Sequence, residues 1–143
     1  MLLKILNERH EKARNNHFQS HRLLDGYRKV FEQAMGALAM AHTQQEDAAY
    51  EDTHVKRKIA TLQEHCNGLI NTPQEFLDEM TALRAEQMDT ARQRETAGAR
   101  VQPCRQALHN AETAMRTEEA NLARLQKDFQ AVLDEIHSVR AQS

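Results

Sequence analysis

A chain of 143 residues with a formal net charge of -2 is one domain by length and carries no strong field towards nucleic acid or a membrane surface. Aromatic residues make up 4%, Trp is absent, and there are only 4 Gly and 2 Pro, so strand formers and turn formers are both scarce. Ala, Glu, Gln, Arg and Leu favour helix, which excludes a broad sheet-built core and leaves an all-α chain burying a narrow seam.

The opening stretch, Met1-Leu2-Leu3-Lys4-Ile5-Leu6-Asn7-Glu8-Arg9, has too short an apolar run for a signal peptide or a membrane span. Cys66 and Cys104 have no CxxC spacing, which fits a reducing compartment. Both features point to a cytosolic chain. From Leu3 the first arm carries a heptad seam: Leu6, His10, Ala13, His17, Ser20, Leu24, Tyr27, Phe31, Ala34, Leu38 and Ala41 follow at alternating steps of three and four. Gln45, Ala48, Asp52, Val55, Ile59, Leu62, Cys66 and Leu69 continue it. This is the a and d pattern of a left-handed coiled coil.

A stop signal then meets a start signal. Asn67 and Gly68 accept the left-handed backbone that ends many helices. Thr72 can cap the next helix, with Pro73 at its first position and Glu75 completing a capping box. The expected division is an arm over 2–67, a turn over 68–72 and an arm over 73–140, one hairpin spanning 1–143.

The second arm repeats the heptad from Phe76 through Met80, Leu83, Gln87, Thr90, Arg94, Ala97, Val101, Cys104, Leu108, Ala111 and Met115. Glu118, Leu122, Leu125, Phe129, Val132, Ile136 and Val139 complete it. If Cys66 lies opposite Phe76, each heptad on one arm answers a heptad on the other. Ile59 then meets Leu83, Asp52 meets Thr90, and His10 meets Val132. Polar seam residues of the two arms coincide, so an Asp52–Arg94 contact is expected. Such a layer costs stability and fixes register. The fold predicted is an antiparallel coiled-coil hairpin of two long helices, each on the order of 100 Å. Pro103 should kink the second arm, with Gly98 beside it and Gly36 at a similar level of the first. A four-helix bundle with both arms broken is disfavoured, because the heptad passes Gly36 and Pro103 with no residue spared for a loop.

Little in the sequence carries chemistry. His17 and His21 are one turn apart, but no further ligand is forced to join them. Glu51-x-x-His54 and Asp134-x-x-His137 resemble di-iron spacing, which needs four helices around one core. Gly-rich phosphate loops and nucleophile elbows are absent. No catalytic residue, cofactor or metal is expected, and the chain reads as a non-enzyme. Apolar residues off the seam say more. Phe18 and Tyr50 fall on the outer face of the first arm, and Leu2, Ile5, Leu23, Val30 and Met35 widen or leave the stripe. Leu2 and Leu133 lie beside the seam. Leu69, Ile70, Phe76 and Leu77 crowd the turn end, while His10, His17 and Ser20 are expected to leave the stripe from Leu122 to Ile136 imperfectly covered. Exposed apolar groups of this kind mark contact surfaces.

The opening Leu2-Leu3-Lys4-Ile5-Leu6-Asn7-Glu8-Arg9-His10-Glu11-Lys12, and the central Thr72-Pro73-Gln74-Glu75-Phe76-Leu77 leading into a long Gln/Arg/Ala/Glu helix, resemble the FliJ/YscO (SctO) family of type III secretion systems. The likeness spans the whole chain; Pro103 departs from it. It implies a cytoplasmic coiled-coil stalk, peripheral to an inner-membrane export apparatus, that links a hexameric secretion ATPase to the export gate protein. Some members also bind secretion chaperones. On that likeness Leu3, Leu6, Phe129, Val132 and Ile136, with Leu2 and Leu133 beside them, would lie at the ATPase. Phe18, Tyr50 and Leu77 would be candidates for the gate. No nucleic acid and no membrane insertion is implied. A coiled-coil chaperone or adaptor, and a self-associating scaffold, remain open alternatives.

Overall fold

The heptad is realised as helix in both arms. The computed structural model describes residues 1–142, with α1 at Leu2–Asn67 and α2 at Gln74–Gln142 packed against each other as an antiparallel hairpin. Among the described residues there is no strand. Every buried residue occupies one of the seam positions. The rest of both helices is partly or fully exposed, so packing of one stripe, and not helix propensity alone, holds the elements. Both helices run without interruption past Gly36 and Pro103, and so neither arm breaks into two.

The chain divides into two compact units, residues 1–35 with 107–143, and residues 36–106. In the second, Val55, Ile59, Leu62 and Leu83 form a buried cluster with Cys66, Phe76 and Met80 against it. Asp52 is level with Thr90 there, the register that follows from Cys66 lying opposite Phe76. In the first unit Leu6, Val132 and Ile136 form a cluster joined by Val139. An exposed Arg9–Glu135 ion pair at 3.3 Å crosses between the helices beside it. With both partners half exposed it is worth about 0–1 kcal/mol.

The turn is built differently from its sequence signals. Among the described residues none has a positive φ, so neither Asn67 nor Gly68 ends α1 through a left-handed backbone. The helix tightens instead: the Gly68 N–H donates to the His65 carbonyl at 3.3 Å and the Leu69 N–H to the Cys66 carbonyl at 3.1 Å. These three-residue bonds satisfy the His65 and Cys66 carbonyls, two of the last four of α1, without a left-handed residue. At the start of α2 the N–H groups of Phe76 and Leu77 both donate to the Pro73 carbonyl. Pro73 therefore takes the capping place expected of Thr72, and α2 begins at Gln74. The capping box does not form, because with Pro73 as the cap Glu75 is only the second helical residue, one short of the position from which it would reach back. Gln74 instead donates to Asp78 at 2.9 Å along the first turn.

The turn geometry has a testable consequence. A Cβ added at Gly68 meets only the His65 carbonyl, at an ordinary 3.6 Å. Gly68→Ala should therefore leave stability unchanged or raise it by about 0.4–1 kcal/mol, through the unfolded chain. Urea denaturation checks this; a clear loss would restore the left-handed cap.

Candidate functional site

Two kinds of feature stand out along the hairpin: polar layers inside the seam and apolar side chains outside it. The deeper layer centres on Asp52, 1% exposed. Its position on the heptad points the carboxylate at α2, where Thr90 donates to Oδ1 at 3.1 Å and Arg94 to Oδ2 at 3.2 Å. Lys56, one turn on, reaches Oδ2 at 2.9 Å. The Lys56 ammonium, followed by Arg94 and Thr90, holds the carboxyl below its ordinary range, against burial, which pushes it up. The Thr90 hydroxyl also donates to the Gln87 carbonyl at 3.0 Å. The layer is a fully paired clamp between the helices. Among the described residues no buried side-chain nitrogen or oxygen lacks a partner.

A second layer lies in the other unit. Buried Ser20 donates to Glu118, and Asn121 donates to the same carboxylate oxygen at 3.2 Å. Sequence reading placed Ser20 and Glu118 on the seam but did not pair them. The signal was available, since both are polar residues at seam positions near the same level.

The stripe from Leu122 to Ile136 is better covered than expected. Val132 and Ile136 are buried, and so is Leu6 against them. Phe129 is half-buried beneath two histidines, with ring centroids 4.9 Å from His10 and 6.2 Å from His17. Imidazole rings are flat enough to cover a phenyl face, so polar letters at seam positions did not mean an open seam. Of the ten residues assigned to partner contact, Leu6, Val132 and Ile136 are thus enclosed in the hairpin, and Phe129 and Leu133 are half-buried. Leu2, Leu3, Phe18, Tyr50 and Leu77 are exposed. So are Ile5, Leu23, Val30, Met40, Met88 and, completely, Ile70 in the turn.

His17 and His21 have ring centroids 6.5 Å apart, but His17 lies against Phe129 and His21 faces Asp25 at 3.6 Å. Among the described residues no three His, Cys, Asp or Glu side chains converge as metal ligands. Among them, too, no helix is long and apolar enough to cross a membrane. Comparison with family models, with curated proteins and with solved structures gives no match to this chain.

Proposed function

We propose that this chain is a non-enzymatic coiled-coil stalk of a type III secretion export apparatus, linking the secretion ATPase to the export gate. The reading rests on the resemblance of its opening and central segments, and on one structural observation. Around the closed Leu6–Val132–Ile136 cluster, Leu2, Leu3 and Ile5 stay exposed. Aliphatic side chains that the hairpin does not use are available to a ring that grips this end. Docking there leaves the inner cluster intact, so Leu6, Val132 and Ile136 serve by holding the helices together. Phe18, Tyr50, Ile70 and Leu77, exposed elsewhere, are the residues proposed for the gate or a chaperone.

The test is stimulation of a hexameric Walker-type secretion ATPase. Leu2→Asp with Ile5→Asp should leave helicity and melting unchanged and reduce stimulation at least tenfold, since each removes an apolar contact and adds a charge. Tyr50→Ala should spare stimulation and reduce secretion. If the wild-type chain stimulates no such ATPase, the stalk reading fails and an adaptor or scaffold role takes its place.

A further inference from the structure

The turn end of the unit formed by residues 36–106 places Asn67 directly before Gly68, the one Asn-Gly pair in the chain. Neither residue takes the left-handed backbone that would explain the pair as a helix stop. Asn67 is the last residue of α1, and both residues are exposed. Within the described residues no group bonds to the Asn67 side-chain amide. The Gly68 N–H is held by a long bond, 3.3 Å, to the His65 carbonyl. Glycine also has no Cβ to crowd the approach to its own nitrogen. Of the other asparagines only Asn71 lies outside the helices, and the residue after it is the β-branched Thr72.

We infer that Asn67 is a site of spontaneous modification, its side-chain amide converted to a carboxylate through a cyclic imide formed with Gly68. The Gly68 backbone nitrogen gives up its proton and attacks Asn67 Cγ. The Cγ–Nδ2 bond breaks, and Nδ2 leaves as ammonia with a proton replacing the one lost from the backbone. Water then opens the ring. Addition at Cγ gives aspartate and restores the original chain. Addition at the main-chain carbonyl gives isoaspartate, whose backbone runs through the side chain and is one methylene longer. Nothing is oxidised or reduced, and water is the only other reactant.

Ring closure requires Asn67 to turn out of its helical backbone conformation. That rotation breaks the Gly68–His65 and Leu69–Cys66 bonds at the very end of α1, where water replaces them at little net cost. Residues 68–73, between the helices, absorb the change. The imide nitrogen carries no hydrogen, so the bond to His65 is lost while the ring lasts. The product puts a negative charge at the C-terminal end of α1, the end that the helix dipole already makes negative. Residues 59–83 hold four acids, Glu64, Glu75, Asp78 and Glu79, and no lysine or arginine. The new carboxylate joins them two and three residues from exposed Leu69 and Ile70. With time the modification therefore charges and loosens the apolar turn surface, whatever binds there.

Mass spectrometry of the full chain, aged while folded, tests the inference without reference to any ATPase. Trypsin releases residues 59–84 as one peptide, which carries both Asn67 and Asn71. Fragmentation of that peptide should show Asn67 gaining the mass of an oxygen over an NH group at least tenfold faster than Asn71. The rate should rise from neutral to mildly alkaline buffer, because the attacking nitrogen must lose its proton. Gly68→Ala, whose added Cβ the turn accommodates, should slow the conversion at least tenfold. Isoaspartyl methyltransferase with labelled S-adenosylmethionine should mark the aged wild-type chain and leave aged Gly68→Ala unmarked. An Asn67 that converts no faster than Asn71 overturns the inference. So does a Gly68→Ala chain that converts like wild type, or an aged wild-type chain that takes no label. Failure here leaves the stalk proposal standing, and failure of ATPase stimulation leaves this one standing.

Discussion

Leu24→Ala is expected to cost about 2–5 kcal/mol, the range for emptying a fully enclosed leucine site. Leu24 is 1% exposed, among the most enclosed side chains of the hairpin. Against a total stability of about 5–15 kcal/mol such a loss is large. At roughly 3 °C per kcal/mol for a chain of this size, the melting temperature should fall by about 6–15 °C. Leu23→Ala, one residue away, should change stability by less than about 0.5 kcal/mol, because Leu23 is 54% exposed. The contrast isolates burial from residue type and helix position. The effect should also be local. Leu24 belongs to the unit of residues 1–35 and 107–143, whose packing is made within itself. Hydrogen exchange should accelerate most over residues 1–35 and 107–142, with smaller change around Val55, Ile59 and Leu83. Equal loss in both units would show that the hairpin opens as a single cooperative body, and an unchanged melting temperature would remove Leu24 from the core.

Much of this packing was legible because it is periodic. A stripe at steps of three and four identifies seam positions without reference to a partner, and every buried residue lies on it. The Asp52–Arg94 contact was legible for the same reason: two polar seam residues at one level have only each other and water to pair with. What escaped depended on geometry that letters do not encode. His10 and His17 read as gaps in an apolar stripe, yet their rings cover Phe129. Gly68 and Thr72 read as caps, yet three-residue hydrogen bonds and the Pro73 carbonyl close the two helix ends. Leu6, Val132 and Ile136 read as a docking surface, yet they are occupied with one another.

Replacing Asp52 with leucine should make the hairpin more stable and less particular. A buried, paired carboxylate is often matched or exceeded by a well-packed apolar side chain, provided its former partners are not stranded. They are not stranded here. Thr90 keeps its bond to the Gln87 carbonyl, and Arg94 and Lys56 have half-exposed side chains that turn to water. The pH dependence follows from the direction of the shift. Lys56 first, with Arg94 and Thr90, holds the folded carboxyl below its ordinary value of 3.8, so its contribution is complete above about that pH and is lost as pH falls through the lower folded value. The leucine variant has no such group to lose. Its advantage over wild type should therefore be constant from pH 7 to about 5 and widen as acid is added below the ordinary carboxylate range. Register should loosen at the same time, because a leucine at position 52 packs acceptably against the apolar positions one heptad away, whereas Asp52 finds Thr90 and Arg94 at one level only. Spin labels at Thr53 and Asp89, both exposed, report this directly. Wild type should give one narrow distance, and the variant a broadened distribution with a component displaced by about 10 Å, one heptad of helix rise. A lower melting temperature with a single narrow distance would mean that Asp52 stabilises the hairpin outright and that apolar packing alone sets the register.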